Sequence, residues 1–128
     1  MSERFILDAS ALLCLLQDEK GAERVAAALP GAQIGAVNFS EAFGKLVEVG
    51  LEEEAVDSLI ASLQLQVIPF DREQARAAAS LRRRTREFGL SLGDRACLAL
   101  ARIQGAIALT CDRSWTRFEA GCRVELAR

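Results

Sequence analysis

Short apolar runs alternate with longer stretches of helical spacing along this chain. Residues 4–8 form a brief apolar run closed by an acid, which predicts a buried strand. Residues 9–17 then read as a helix, and residues 21–29 as a second one closed by Pro30. A second strand is expected at 33–37, followed by a helix at 38–49 that Gly50 ends. In residues 52–63, Ala55, Leu59, Ile60 and Leu63 recur at helical spacing. A third strand is expected at 65–70 and a long helix at 71–88, stopped by Gly89. A helix at 91–103 stops at Gly105, a fourth strand spans 106–111, and a fifth spans 123–126. This alternation predicts an α/β fold, a three-layer α/β/α sandwich with a central parallel sheet. No repeat, low-complexity tract or linker interrupts the pattern, so residues 1–128 are read as one domain.

Composition narrows the chemistry. Hydrophobic residues make up 51% of the chain, enough for one real core. The net charge is −2, so any grip on a polyanion must come from a local basic patch or a bound cation. The run Phe5–Leu7 is too short for a signal peptide, and no stretch approaches a membrane span, which makes a cytoplasmic protein the expectation. Cys14, Cys97, Cys111 and Cys122 form no C-x-x-C pair and sit among apolar neighbours. They are expected to be reduced, buried and inert.

The chain has no histidine and no tyrosine. Ser–His–Asp and Cys–His schemes, imidazole acid–base catalysis and histidine metal sites are therefore excluded. Carboxylates, hydroxyls, Lys/Arg, thiols and hard metal ions remain.

Four carboxylates stand where strands hand over to helices. Asp8 closes the first strand and Asp112 the fourth. Glu41 lies one turn into the helix after the second strand, and Asp94 opens the Ala/Leu-rich helix. In an open parallel sheet, ligands bind beyond the carboxyl ends of the strands, and right-handed crossovers bring all four acids toward that rim. Each acid singly also reads as a helix cap; Asn38-x-x-Glu41 and Ser91-x-x-Asp94 resemble capping boxes. Jointly they argue for a cation, since two carboxylates about 4 Å apart repel by about 4 kcal/mol at an effective dielectric near 20. An all-oxygen, histidine-free set suits Mg²⁺ or Mn²⁺ and not zinc. Such ions bind phosphates, activate water and stabilise a leaving oxygen.

Asp8-Ala-Ser-Ala, Asn38-x-x-Glu41, Leu92-Gly-Asp94-Arg-Ala-Cys-Leu-Ala-Leu-Ala101 and Thr110-x-Asp112-Arg-x-Trp115 resemble, in order, the motifs of PIN domains, and in particular of VapC toxins. The resemblance spans Phe5 to about Leu126. It implies a PIN-like nuclease with Mg²⁺ or Mn²⁺ at the acidic rim and endonucleolytic cleavage of RNA by metal-activated water. It makes Asp8, Glu41, Asp94 and Asp112 the catalytic and metal-holding acids, with a supporting hydroxyl at Ser10 or Thr110. It further implies a cognate antitoxin as partner and a homodimer. An RNA-processing PIN nuclease without toxin role is the alternative within the family.

Arg82, Arg83, Arg84 and Arg86 form a basic run just before Asp94. They read either as a solvated helix face or as an RNA-backbone patch near the rim. Arg95 and Arg113 each follow one of the acids, and are candidates for the scissile phosphate or for pairing with neighbouring acids. Trp115 is expected to pack a strand-to-helix corner or to stack a base. Two non-enzyme readings stand beside these. A phospho-acceptor domain would want an acid pair before the first helix and a lysine after a late strand, yet Lys20 and Lys45 are the only lysines. A non-catalytic interaction module would not need the intact acids.

Overall fold

A computed structural model describes residues 3–128. Its centre is a five-stranded sheet in the order β3-β2-β1-β4-β5: β1 (Phe5–Leu7), β2 (Gln33–Gly35), β3 (Gln66–Ile68), β4 (Ile107–Thr110) and β5 (Val124–Leu126). Every pairing is parallel, with Leu7 beside Ile34 and Leu109. Parallel strands need crossovers, and the helices supply them: α1 (Ala9–Leu16), α2 (Ala22–Ala28), α3 (Ala36–Glu48), α4 (Glu53–Ser62), α5 (Arg72–Ser80), α6 (Arg82–Thr85) and α7 (Leu92–Gln104).

Side chains alternate across the strands, so one sheet feeds two cores. Phe5, Leu7, Ile34 and Leu109 face Leu12, Val25, Leu46, Val56 and Ile60 from α1 to α4. Ile6 and Ala108 face the opposite way, onto Leu81, Cys97, Leu98, Leu100 and Trp115. This is the expected three-layer sandwich. Because both faces are covered, β1 and most of β4 read as continuous apolar runs. No helix among the described residues is long and apolar enough to cross a membrane.

Four expectations need correction. The long helix at 71–88 is broken into α5, α6 and a 3-10 turn at Arg86–Phe88. The Ala78 carbonyl is the cause: it accepts from the Leu81 backbone N–H and, at 3.1 Å, from the Arg95 guanidinium. A side chain inserted into the helical ladder breaks it there. The second strand stops at Gly35, so Ala36 and Val37 belong to α3 and not to the strand. Pro69, which has no N–H for a ladder, lies just beyond the end of β3, an edge strand whose Val67 is exposed. Among the cysteines, Cys14 and Cys97 are buried as expected, while Cys111 and Cys122 are half-buried; all are free thiols.

Candidate active site

Asp8 follows the central strand β1, which places it at the middle of the sheet's carboxyl edge. It is the N-cap of α1 and is only 4% exposed. Its Oδ1 accepts from the Ser10 hydroxyl at 2.7 Å and the Ala11 N–H at 2.8 Å; its Oδ2 accepts from the Thr110 hydroxyl at 2.6 Å. Ser10 and Thr110 thus hold the two oxygens separately, and their hydroxyls lie 3.3 Å apart. Both hydroxyls also accept from the β4 exit: the Cys111 N–H reaches Ser10 and the Asp112 N–H reaches Thr110, each at 3.0 Å. The Asp8 carboxyl is pushed up to about 6. Burial raises it, the Thr110, Ser10 and Ala11 hydrogen bonds oppose this, and the Asp94 charge adds to the rise.

Glu41, on α3, lies against Gly93 at the start of α7 and feels the charge of Asp94. The Asn38 amide donates to Glu41 Oε1 at 3.2 Å and to the Gly93 carbonyl at 3.0 Å, stitching the two helix starts together. The Glu41 carboxylate occupies the space of an absent side chain: a Cβ on Gly93 would lie 2.3–2.5 Å from it. Partial burial raises the Glu41 pKa; Asn38 lowers it, the Asp94 charge raises it, and the Lys45 charge lowers it. Asp94 forms the expected capping box, with Ser91 N–H donating to its Oδ2 at 3.0 Å and its own N–H donating to the Ser91 hydroxyl at 3.2 Å. The box expected at Asn38-x-x-Glu41 is not formed. Since α3 begins at Ala36, Asn38 is inside the helix and its amide is spent on the site. Asp112 caps the following 3-10 turn through Ser114.

Asp8, Asp94 and Asp112 are therefore caps and site residues at once, while Glu41 is a site residue only. Asp8, Glu41, Asp94 and Asp112, together with Ser10, line one cleft of about 900 Å³. Among the described residues no three carboxylates or thiols stand close enough to hold an ion directly between them. The donor set nonetheless fits a small hard cation. Mg²⁺ keeps several waters and takes only one or two carboxylates plus phosphate oxygens. Asp8 accepts three hydrogen bonds of about four it has room for, and each of the other three acids accepts fewer. Lone pairs are thus free on every acid.

The basic residues fall elsewhere than expected. Arg95, expected as a candidate for the scissile phosphate, is buried at 7% exposure, donates to the Ala78 carbonyl and packs α7 onto α5, away from the cleft lining. Arg82, Arg83, Arg84 and Arg86 are exposed, as is Arg113, but none lines the acidic cleft. Arg84 reaches the loop at Gly121, before β5, beside Arg102 from the last turn of α7, at the opposite edge of the sheet. Trp115 is 1% exposed and packed in the second core, which excludes base stacking. Asn38, Lys45 and Arg128 do contribute to the cleft. The position of Asn38 beside Glu41 was visible in the sequence, but its partner Gly93 is 55 residues away.

The PIN domain family profile matches residues 5–121. The chain belongs to the PIN-domain family. PIN domains are generally nucleases. Solved structures share the fold at low identity. DNA-bound VapBC from Salmonella typhimurium superimposes with a TM-score of 0.76 at 19% identity, covering 99% of this chain and 100% of that one. A toxin–antitoxin complex from Klebsiella pneumoniae gives 0.74 at 19% identity, covering 99% and 98%. FitAcB from Neisseria gonorrhoeae gives 0.66 at 21% identity, covering 94% and 95%. No curated protein sequence matches the chain significantly.

Proposed function

We propose that this PIN domain is an endoribonuclease dependent on Mg²⁺ or Mn²⁺, and that it is the toxin member of a VapBC-like toxin–antitoxin pair. The observation that carries the reading is the convergence of Asp8, Glu41, Asp94 and Asp112 on one cleft at the strand carboxyl ends. The whole-chain likeness to chains from toxin–antitoxin complexes supports the toxin role and the antitoxin partner.

When bound, the divalent ion would supply positive charge at the scissile phosphate and make water a stronger nucleophile at neutral pH. Asp8, Glu41, Asp94 and Asp112 would hold it. Ser10 and Thr110 fix the Asp8 carboxylate so that its remaining lone pair keeps one direction. Asn38 and Gly93 set the Glu41 carboxylate against the start of α7, beside Asp94. Burial of Asp8 and Glu41, with a smaller push from the Asp94 charge, raises the free energy of their ionised forms in the metal-free cleft, so a cation is drawn into it.

Expression of the chain alone should arrest growth, and the antitoxin encoded beside it should relieve the arrest. Incubation of the purified chain with total RNA and Mn²⁺ should produce discrete cuts. Harmless expression of an active ribonuclease would transfer the reading to RNA processing. Absence of any Mn²⁺-dependent cutting would refute the nuclease itself.

A further inference from the structure

The acidic centre must admit a polyanion, yet the acids in its cleft outnumber the bases. Among the lining residues the only cations are Lys45 and Arg128. Their elements lie on opposite sides of β1 in the sheet order. Lys45 is on α3, which packs on β2 and β3; Arg128 lies two residues beyond β5, on the far side of β1. Lys45 is four residues after Glu41, so both side chains leave the same helix face. It makes no ion pair among the described residues. Arg128 is anchored: its Nη1 donates to the Lys20 carbonyl at 3.2 Å and to Glu19 Oε1 at 3.5 Å. Its hydrogen bonds among the described residues all run through Nη1, so Nε and Nη2 keep their protons for a ligand.

We infer that Lys45 and Arg128 are two phosphate grips, one on each side of the acidic centre, and that single-stranded RNA crosses the cleft from α3 to β5 with its scissile phosphate between them. This rests on the ribonuclease reading above. A backbone held at two flanking phosphates presents the intervening one to the acids without any base being read. The held guanidinium of Arg128 loses little freedom on binding, whereas Lys45 acts as a mobile point charge. The exposed arginines of α6 lie outside the cleft lining, so the two grips are assigned without them.

Steady-state cleavage of a fluorescent single-stranded RNA in Mn²⁺, at several salt concentrations, tests the inference. Lys45→Ala and Arg128→Ala should each raise KM on the order of tenfold with little change in kcat, as expected for one lost charged hydrogen bond. Each should also flatten the dependence of log(kcat/KM) on log salt by about 0.7, the single-strand value per phosphate. Arg128→Lys should recover part of the salt slope. Glu19→Gln separates a grip from a tether: it should leave KM unchanged or lower it, since a charge competing with RNA for Arg128 is removed while the Lys20 carbonyl still holds Nη1. Melting curves confirm that each variant is folded. Unchanged KM and salt slope in both alanine variants would overturn the inference while the ribonuclease reading stood. So would a Glu19→Gln variant as impaired as Arg128→Ala. Failure of the wild-type chain to cut RNA in Mn²⁺ would overturn both.

Discussion

Replacing Asp8 by Asn should stabilise the metal-free protein at neutral pH and abolish its activity. Asp8 ionises at about 6 in the fold against 3.8 for the free side chain, mainly because it is buried. A group whose folded pKa is raised contributes stability that is fully present below its unfolded pKa and is lost as pH rises through the folded one. The metal-free protein therefore loses stability across roughly pH 4 to 6, by about 3 kcal/mol in all, at 1.36 kcal/mol per pKa unit. Asn carries no charge and does not titrate. Its Oδ1 can still accept from Ser10 and Ala11, but its Nδ2 must find the Thr110 hydroxyl as an acceptor, at a cost of about 1 kcal/mol. The net gain at pH 7.5 is then about 2 kcal/mol, or roughly 8 °C in Tm for a domain of this size. Near pH 4 the gain should vanish or reverse. Urea unfolding of both proteins in EDTA at pH 4 and 7.5 measures the difference, and titration of the other groups cancels between them. Mn²⁺ should close the gap at pH 7.5 by stabilising the wild type more. An equal stability difference at both pH values would refute the assignment of a buried, titrating Asp8 at this site.

Gly93→Ala should leave the fold intact and cut activity on the order of a hundredfold, since its Cβ would take the space of the Glu41 carboxylate and misplace it. Melting curves beside cleavage rates check this, because alanine is itself a better helix former by about 1 kcal/mol. Asn38→Ala should destabilise the protein by about 2 kcal/mol, since it leaves the Gly93 carbonyl without its side-chain donor. Asn38→Asp, which keeps the shape but loses the donor, should be no better in the cleavage assay. With no histidine to drive a ribose 2′-hydroxyl onto its phosphate, the cut RNA should carry 5′-phosphate and 3′-hydroxyl ends. Mass analysis of the ends checks this: 2′,3′-cyclic phosphates would contradict it, as would undiminished cutting in EDTA.

The sequence alone determined the sheet and its rim. Leu7 and Leu109 sit in short apolar runs between helical segments, and strands alternating with helices in this way form a parallel sheet covered on both faces, which buries such runs. The strand ends then fixed where Asp8 and Asp112 lie, and helix spacing placed Glu41 and Asp94 near the same edge. The lack of histidine confined the chemistry to oxygen donors. The sequence did not reveal which charged side chains face inward. Arg95 follows Asp94 directly, yet the helix turns it about 100° away, into the contact with Ala78 that also breaks the helix expected at 71–88. The basic run at Arg82–Arg86 lies close to Asp94 in sequence but outside the cleft, whereas Lys45 and Arg128, distant from one another in sequence, line it. The pairing of Asn38 with Gly93, and of Ser10 and Thr110 with Asp8, likewise joins residues that no local pattern relates. Periodicity reports which face of an element is apolar. Which polar groups meet across the rim depends on how separate elements are rotated and packed, and that is decided only when the core closes.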